Sequence, residues 1–226
     1  DQAVQGVVYS AFGYSGQKCS ACSRVMVVES VYDTFMHRLI EATRSLHVGD
    51  AANATTKVGP VVDASAQAKI KDYIEKGKQE STLALEMPAP DHGYFVGPTI
   101  FTDVAPDAVI AQEEIFGPVL AVIKVKDFEE ALEVANNTDY GLTGGLYSRT
   151  PSHIERVQQE FAVGNLYINR GITGAIVSRQ PFGGFKMSGV GSKAGGPDYL
   201  LQFMEPRHVS ENVQRQGFAP IEGADQ

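Results

Sequence analysis

Val4, Val7, Val8 and Phe12 recur at the three- and four-residue spacing of one helical face, which predicts a helix from about Gln2 to Ala11. The pattern is present from the first residues, so the sequence is expected to open inside an element. The stretch Gly13 to Gly16 interrupts it, and the β-branched run Arg24 to Glu29 then predicts a strand. Helices are predicted for Tyr32 to Leu46, with Phe35, Leu39 and Ile40 on one face, and for Ala64 to Lys78, with Ala68, Ile70, Tyr73 and Ile74 on one face. After a loop carrying Pro88, Pro90 and Gly93, strand-like segments fall at Tyr94 to Val96, Thr99 to Phe101 and Val119 to Val125, broken by the polar Gln112 to Glu114.

A helix Phe128 to Asn136, a short strand Gly144 to Ser148, a helix Pro151 to Phe161 with proline in its first turn, and a strand Asn165 to Asn169 complete the alternation. Strands alternating with helices predict an α/β layered fold, a mainly parallel sheet with flanking helices. Beyond Asn169 the chain is glycine-rich from Gly171 to Gly196, and so long an irregular stretch in a compact domain points to function. The apolar Leu200 to Met204 and polar Arg207 to Val213 are expected to dock as a strand on a neighbouring subunit.

Composition narrows the class. The 226 residues are 43% hydrophobic, enough for a substantial core, and the net charge of −8 argues against a nucleic-acid surface. No apolar run approaches the roughly 20 residues of a membrane span, so a soluble chain is expected. Cys19 and Cys22 are too few and too close for a disulfide framework and suit a reducing compartment, the cytosol or a mitochondrial matrix.

Cys19 lies in Gly16-Gln-Lys-Cys-Ser-Ala-Cys-Ser-Arg24, where small neighbours leave the sulfur accessible and Lys18 and Arg24 are placed to favour a thiolate. The alternative is a small cysteine that only packs. Cys19 and Cys22 also fit a C-x-x-C redox pair or half a zinc site, although no second pair completes the latter. In Gln112-Glu-Glu-Ile-Phe-Gly-Pro118 a carboxylate suited to ribose hydroxyls stands beside an aromatic suited to a flat ring, or the pair is merely a solvated acidic turn. Pro181-Phe-Gly-Gly-Phe185 is either an aromatic wall or a hydrophobic plug. No G-x-G-x-x-G, Walker A or H-E-x-x-H pattern is present.

Taken in order, Gly16-Gln-Lys-Cys19, Glu113 to Pro118, Asn136-Asn-Thr-Asp-Tyr-Gly-Leu142, Gly164-Asn-Leu-Tyr-Ile-Asn169 and Pro181 to Gly184 resemble the aldehyde dehydrogenase superfamily over nearly the whole chain. Gln17 to Arg24 and Asn169 to Val177 are similar to its 1-pyrroline-5-carboxylate dehydrogenase branch, and Glu211 to Pro220 to the bifunctional proline-utilisation proteins. The resemblance implies a thiolate that attacks an aldehyde, hydride loss to NAD (or NADP), and hydrolysis of a thioester, with L-glutamate γ-semialdehyde as substrate.

On matching positions it implies Cys19 as nucleophile and Glu114 and Phe116 as ribose-side acid and nicotinamide-side aromatic. Ser20, Gly174, Ala175 and Phe182 match positions around the substrate's chain and carboxylate. It divides the sequence into a catalytic domain, 1–198, and an oligomerisation strand and tail, 199–226, that supports a homo-oligomer. The cofactor-binding domain, general-base glutamate and oxyanion-hole asparagine are expected in sequence before Asp1, so the chain alone is expected to be inactive. Two competing readings are a stand-alone assembly module without turnover and a C-x-x-C thiol redox protein.

Overall fold

A computed structural model of the chain describes residues 1–213. Its elements in order are α1 (Gln2–Phe12), a 3-10 turn (Gly13–Gly16), β1 (Arg24–Val28), α2 (Tyr32–Arg44), α3 (Ala64–Glu80), β2 (Thr82–Glu86), β3 (Thr99–Thr102) and α4 (Val109–Gln112). There follow β4 (Val119–Val125), α5 (Phe128–Asn136), β5 (Tyr140–Gly141), β6 (Thr143–Leu146), α6 (Pro151–Glu160), β7 (Asn165–Ile168) and β8 (Phe185–Lys186).

Among the described residues the main sheet has the order β1-β4-β3-β2, with β4 parallel to both β1 and β3 and only β2 antiparallel. In β4 every residue but Lys124 is buried, as befits a parallel strand covered on both faces. Its two-residue period sorts the core. Ala121, Ile123 and Val125 face Ile70 and Ile74 of α3, whereas Leu120 and Val122 pack with Val7 and Phe12 of α1 and Leu39 of α2. Each such aliphatic side chain contributes about 1.5–3 kcal/mol on full burial.

Helix starts follow local chemistry. Asp63 accepts from the Ala66 N–H at 2.8 Å and Asp127 from the Glu130 N–H at 3.0 Å, capping α3 and α5. A second, parallel pair joins β6 to β7, and a two-residue antiparallel ladder joins β5 to β8.

The alternating α/β pattern is present, with element ends shifted by one or two residues. One expected strand is corrected. Tyr94 to Val96 forms no strand; it is a loop tied down where Val61 N–H donates to the Tyr94 carbonyl at 2.8 Å. The strand pairing with β3 is instead Thr82–Glu86. In the single chain Tyr199–Phe203 forms a 3-10 turn, and the expected docking of the tail on a neighbouring subunit stays an expectation. Arg207 to Val213 has no regular structure. Residues 214–220 of the resemblance to proline-utilisation proteins, and the rest of the tail, lie outside the described residues. No described helix is long and apolar enough to cross a membrane.

Candidate active site

Helix α1 ends at Phe12, and Tyr14, Ser15 and Gly16 then take positive φ angles of 58°, 56° and 68°. Two of these are not glycine, so the turn needs external support. The Ser15 hydroxyl donates to the Gly59 carbonyl at 2.8 Å, while Gln17 donates to the Pro60 carbonyl and accepts from the Val62 N–H at 2.9 Å. Gly16 presses on the segment before β4: a Cβ there would lie 2.2 Å from the Gly117 carbonyl oxygen. That approach sets the cysteine loop against Glu113 to Pro118. Both loops precede parallel strands, so the site lies at the amino ends of β1 and β4.

From Gln17 the chain turns through Ala21 N–H to Lys18 carbonyl, 2.9 Å, and is fixed where Cys22 N–H meets the Ser10 carbonyl at 3.0 Å. The two free cysteines end in different environments, Cys19 exposed and Cys22 buried. Burial pushes the Cys22 thiol up to about 12, outweighing the opposing influence of Arg24. Arg24 does not serve Cys19 as expected, since its guanidinium donates to the Ala135 carbonyl at 2.8 Å. Lys18 stays on the cysteine loop, 5.8 Å from the ring centres of Tyr9 and Tyr14.

The acidic pair divides its work. Glu113 accepts from the Tyr73 hydroxyl at 2.6 Å, a bond that is the main reason the phenol is pushed up to about 12. Glu114 keeps an exposed side chain while its carbonyl takes Lys69 Nζ at 2.9 Å, and Phe116, at φ 60°, stays 43% exposed. Cys19, Lys18, Glu114, Phe116 and Tyr140 all line one cavity of about 1070 Å³. An exposed carboxylate and an open ring face in that wall fit one side of a nicotinamide-ribose site.

Ser20, Gly174, Ala175 and Phe182 lie outside that wall. Ser20 is buried behind the cysteine, its carbonyl 3.5 Å from the Thr143 hydroxyl. Gly174 takes φ 85°, and nothing lies within 4 Å of where a Cβ would sit. Its loop is anchored to α1 by Ile172 N–H donating to Ser10 Oγ at 3.2 Å. Phe182 pairs its backbone with Ala194 in both directions at 2.8 Å, and Asn165 braces the flanking Pro181 and Gly183. Ser10, Gln17 and Asn165 were not singled out by sequence. Gln17 and Asn165 carried a signal, their places in Gly16-Gln-Lys-Cys19 and Gly164-Asn-Leu-Tyr-Ile-Asn169.

An alkaline test follows from Cys22. An unfolded thiol ionises from about pH 9 and the folded one only near 12, so the folded state holds the extra proton between them and stability falls as pH rises through that window. Cys22→Ala is expected to flatten the loss of Tm between about pH 9 and 11 relative to the unmodified chain, and an unchanged alkaline slope would count against the buried neutral thiol.

A model of the aldehyde dehydrogenase family matches residues 1–209, and the chain belongs to that family. The 1-pyrroline-5-carboxylate dehydrogenase of Geobacillus sp. (strain WCH70) is 58% identical over 210 residues, 92% of this chain and 41% of that protein. The enzyme of that name from Bacillus subtilis (strain 168) is 52% identical over 212 residues, again 41% of its length. Among solved structures, proline utilization A from Bdellovibrio bacteriovorus superposes with a TM-score of 0.93 at 56% identity, covering 98% of this chain and 23% of that one. A 1-pyrroline-5-carboxylate dehydrogenase from Thermus with bound NAD gives 0.87 at 54% identity, covering 90% and 40%. The chain thus spans about 41% of the curated relatives it matches.

Proposed function

We propose that the chain is the thiol-bearing part of an NAD-dependent enzyme that oxidises L-glutamate γ-semialdehyde to L-glutamate in proline catabolism. The observation that carries this reading is the exposed Cys19 on a cavity wall shared with Glu114 and Phe116, while Cys22 is buried and neutral.

In this reading Cys19, as thiolate, adds to the aldehyde carbon and the carbonyl electron pair moves to oxygen, giving a thiohemiacetal. NAD, when bound, supplies the acceptor for the hydride whose loss leaves a thioester. Water then adds to the thioester carbon and gives up a proton to solvent, and Cys19 departs as thiolate to leave the acid. Glu114 accepts hydrogen bonds from ribose hydroxyls and Phe116 offers its face to the nicotinamide side. They form one wall only, so the 226-residue chain alone is expected to show no micromolar NAD binding by calorimetry; a micromolar constant would refute the division of labour.

The substrate's distal carboxylate is assigned to the Ser20 hydroxyl and to backbone N–H groups near Gly174 and Ala175, with Phe182 beside the aliphatic chain. A hydrogen bond to a charged group contributes about 1.5–3 kcal/mol, so Ser20→Ala in the longer enzyme is expected to lower kcat/KM on the semialdehyde by roughly tenfold to a hundredfold. On an uncharged aldehyde of similar length the loss is expected to be small. Equal losses on both would show that Ser20 only supports the cysteine loop, and no NAD-dependent turnover of the semialdehyde by the unmodified enzyme would overturn the function itself.

The free thiols suit the cytosol. The 199–226 tail is the proposed element for homo-oligomer assembly, and its exposed Leu200, Leu201, Phe203 and Met204 are the apolar surface it offers.

A further inference from the structure

Lys69, Ile70, Tyr73 and Glu80 recur at helical spacing on one side of α3, and each meets the segment 109–117 that leads into β4. Both Glu80 carboxylate oxygens accept backbone N–H groups, from Ile110 at 2.9 Å and from Val109 at 3.1 Å. Lys69 Nζ donates to the Glu114 carbonyl at 2.9 Å, and the Ile70 side chain fills the space where Gly117 lacks a Cβ. These three ties hold backbone. The tie from the Tyr73 hydroxyl to the Glu113 carboxylate holds a side chain instead, one that belongs to a residue bordering the cavity.

Glu113 has extended backbone, φ −99° and ψ 153°, so its side chain and that of Glu114 leave on opposite sides. One carboxylate goes to α3, and the other stays exposed on the cavity wall. Tyr73 is 8% exposed, with the ammonium groups of Lys76 and Lys69 at 4.8 Å and 5.7 Å from its ring centre. Its 2.6 Å bond to Glu113 is of the short, charge-assisted kind, and that bond keeps the phenol protonated up to about 12. Loss of the hydroxyl frees the Glu113 side chain, and with it the peptide that orients Glu114.

We propose that Tyr73 is a positioning residue for the dinucleotide: by holding the Glu113 carboxylate against α3, it fixes the peptide that turns the Glu114 carboxylate toward the ribose hydroxyls. The inference rests on the assignment of Glu114 to the ribose. Tyr73 does not line the cavity, so it acts on the cofactor through Glu113 alone. It is independent of which aldehyde the enzyme takes.

The test uses the longer enzyme and reads NAD affinity by calorimetry beside Tm and kcat. Tyr73→Phe removes the hydroxyl and keeps the ring. It is expected to raise the NAD Kd about tenfold while kcat at saturating NAD stays within about twofold. Glu113→Ala is expected to give a similar rise, and Tyr73→Phe combined with Glu113→Ala no more than either alone, because both remove the same tie. Ile74→Val, a buried change on the same helix outside these ties, controls for general loosening; it is expected to lower Tm and leave the Kd unaltered. Glu114→Ala tests the underlying assignment and is expected to weaken NAD binding at least as much as Tyr73→Phe. If Glu114→Ala weakens NAD binding and Tyr73→Phe does not, the positioning role falls and the ribose assignment stands. An equal rise in Ile74→Val, or additive effects of Tyr73→Phe and Glu113→Ala, would also overturn the positioning role. An unaltered Kd in Glu114→Ala would overturn the ribose assignment and the role of Tyr73 with it.

Discussion

Cys19→Ser in the longer enzyme is expected to lower aldehyde oxidation by at least about 10³-fold, because a serine hydroxyl in the same place is far less nucleophilic at neutral pH and leaves a thiolate's role unfilled. Cys22→Ala is expected to retain activity within a small factor, since its thiol is buried and pushed up to about 12. Thiol labelling separates the roles without turnover: iodoacetamide at pH 8 should modify Cys19 in the folded chain and reach Cys22 only on unfolding. Near-normal turnover in Cys19→Ser, measured as NADH formation, would remove it as nucleophile. Equal labelling of both cysteines would contradict the burial difference.

Gly16→Val is expected to be the most damaging change that touches no reacting group. The backbone there has φ 68°, and a Cβ would stand 2.2 Å from the Gly117 carbonyl oxygen. Gly117 has no room to retreat, since its own missing Cβ position is 2.6 Å from the Ile70 side chain. Left-handed strain and the clash together are expected to cost about 2–4 kcal/mol of stability. Displacement of the cysteine loop by about 1 Å is expected to lower kcat/KM roughly a hundredfold in the longer enzyme. Denaturant unfolding and steady-state kinetics check the two effects, and a variant with unaltered midpoint and turnover would show that the loop contact is dispensable.

Periodicity revealed the core of the fold because burial imposes it. Strand β4 and helices α3 and α5 have continuous apolar runs or one apolar face, and each lies close to where its pattern places it. The edge strand β2 was hidden, since Thr82-Leu-Ala-Leu-Glu86 exposes most of its length and pairs with a register shift. Tyr94 to Val96 misled for the opposite reason: aromatic and β-branched residues suggest a strand, but here they lie in a loop that buries Phe95 and Val96 and leaves Tyr94 exposed.

At the site, residue type left Cys19 and the Glu-Glu-Ile-Phe segment open, and the resemblance picked out Cys19, Glu114 and Phe116, which share one cavity. Residue type alone could not tell Glu113 from Glu114, which only the resemblance separated, because the physical difference lies in a Tyr73 hydroxyl 40 positions away. Arg24 misled because proximity in sequence does not fix where a long side chain goes. Ser10 had no local signature at all, its partners Cys22 and Ile172 being brought to it by folding.

Ser10 holds the cysteine loop by its carbonyl and the Gly171 to Thr173 stretch by its hydroxyl, both from one buried position on α1. Both loops are thus referred to a single residue of α1, so a rotation of that helix about its axis is expected to move their anchor points together. If Cys19 and this stretch hold the two ends of the substrate as proposed, tolerance for longer or shorter aldehydes would depend on how α1 is seated against α2 and β4.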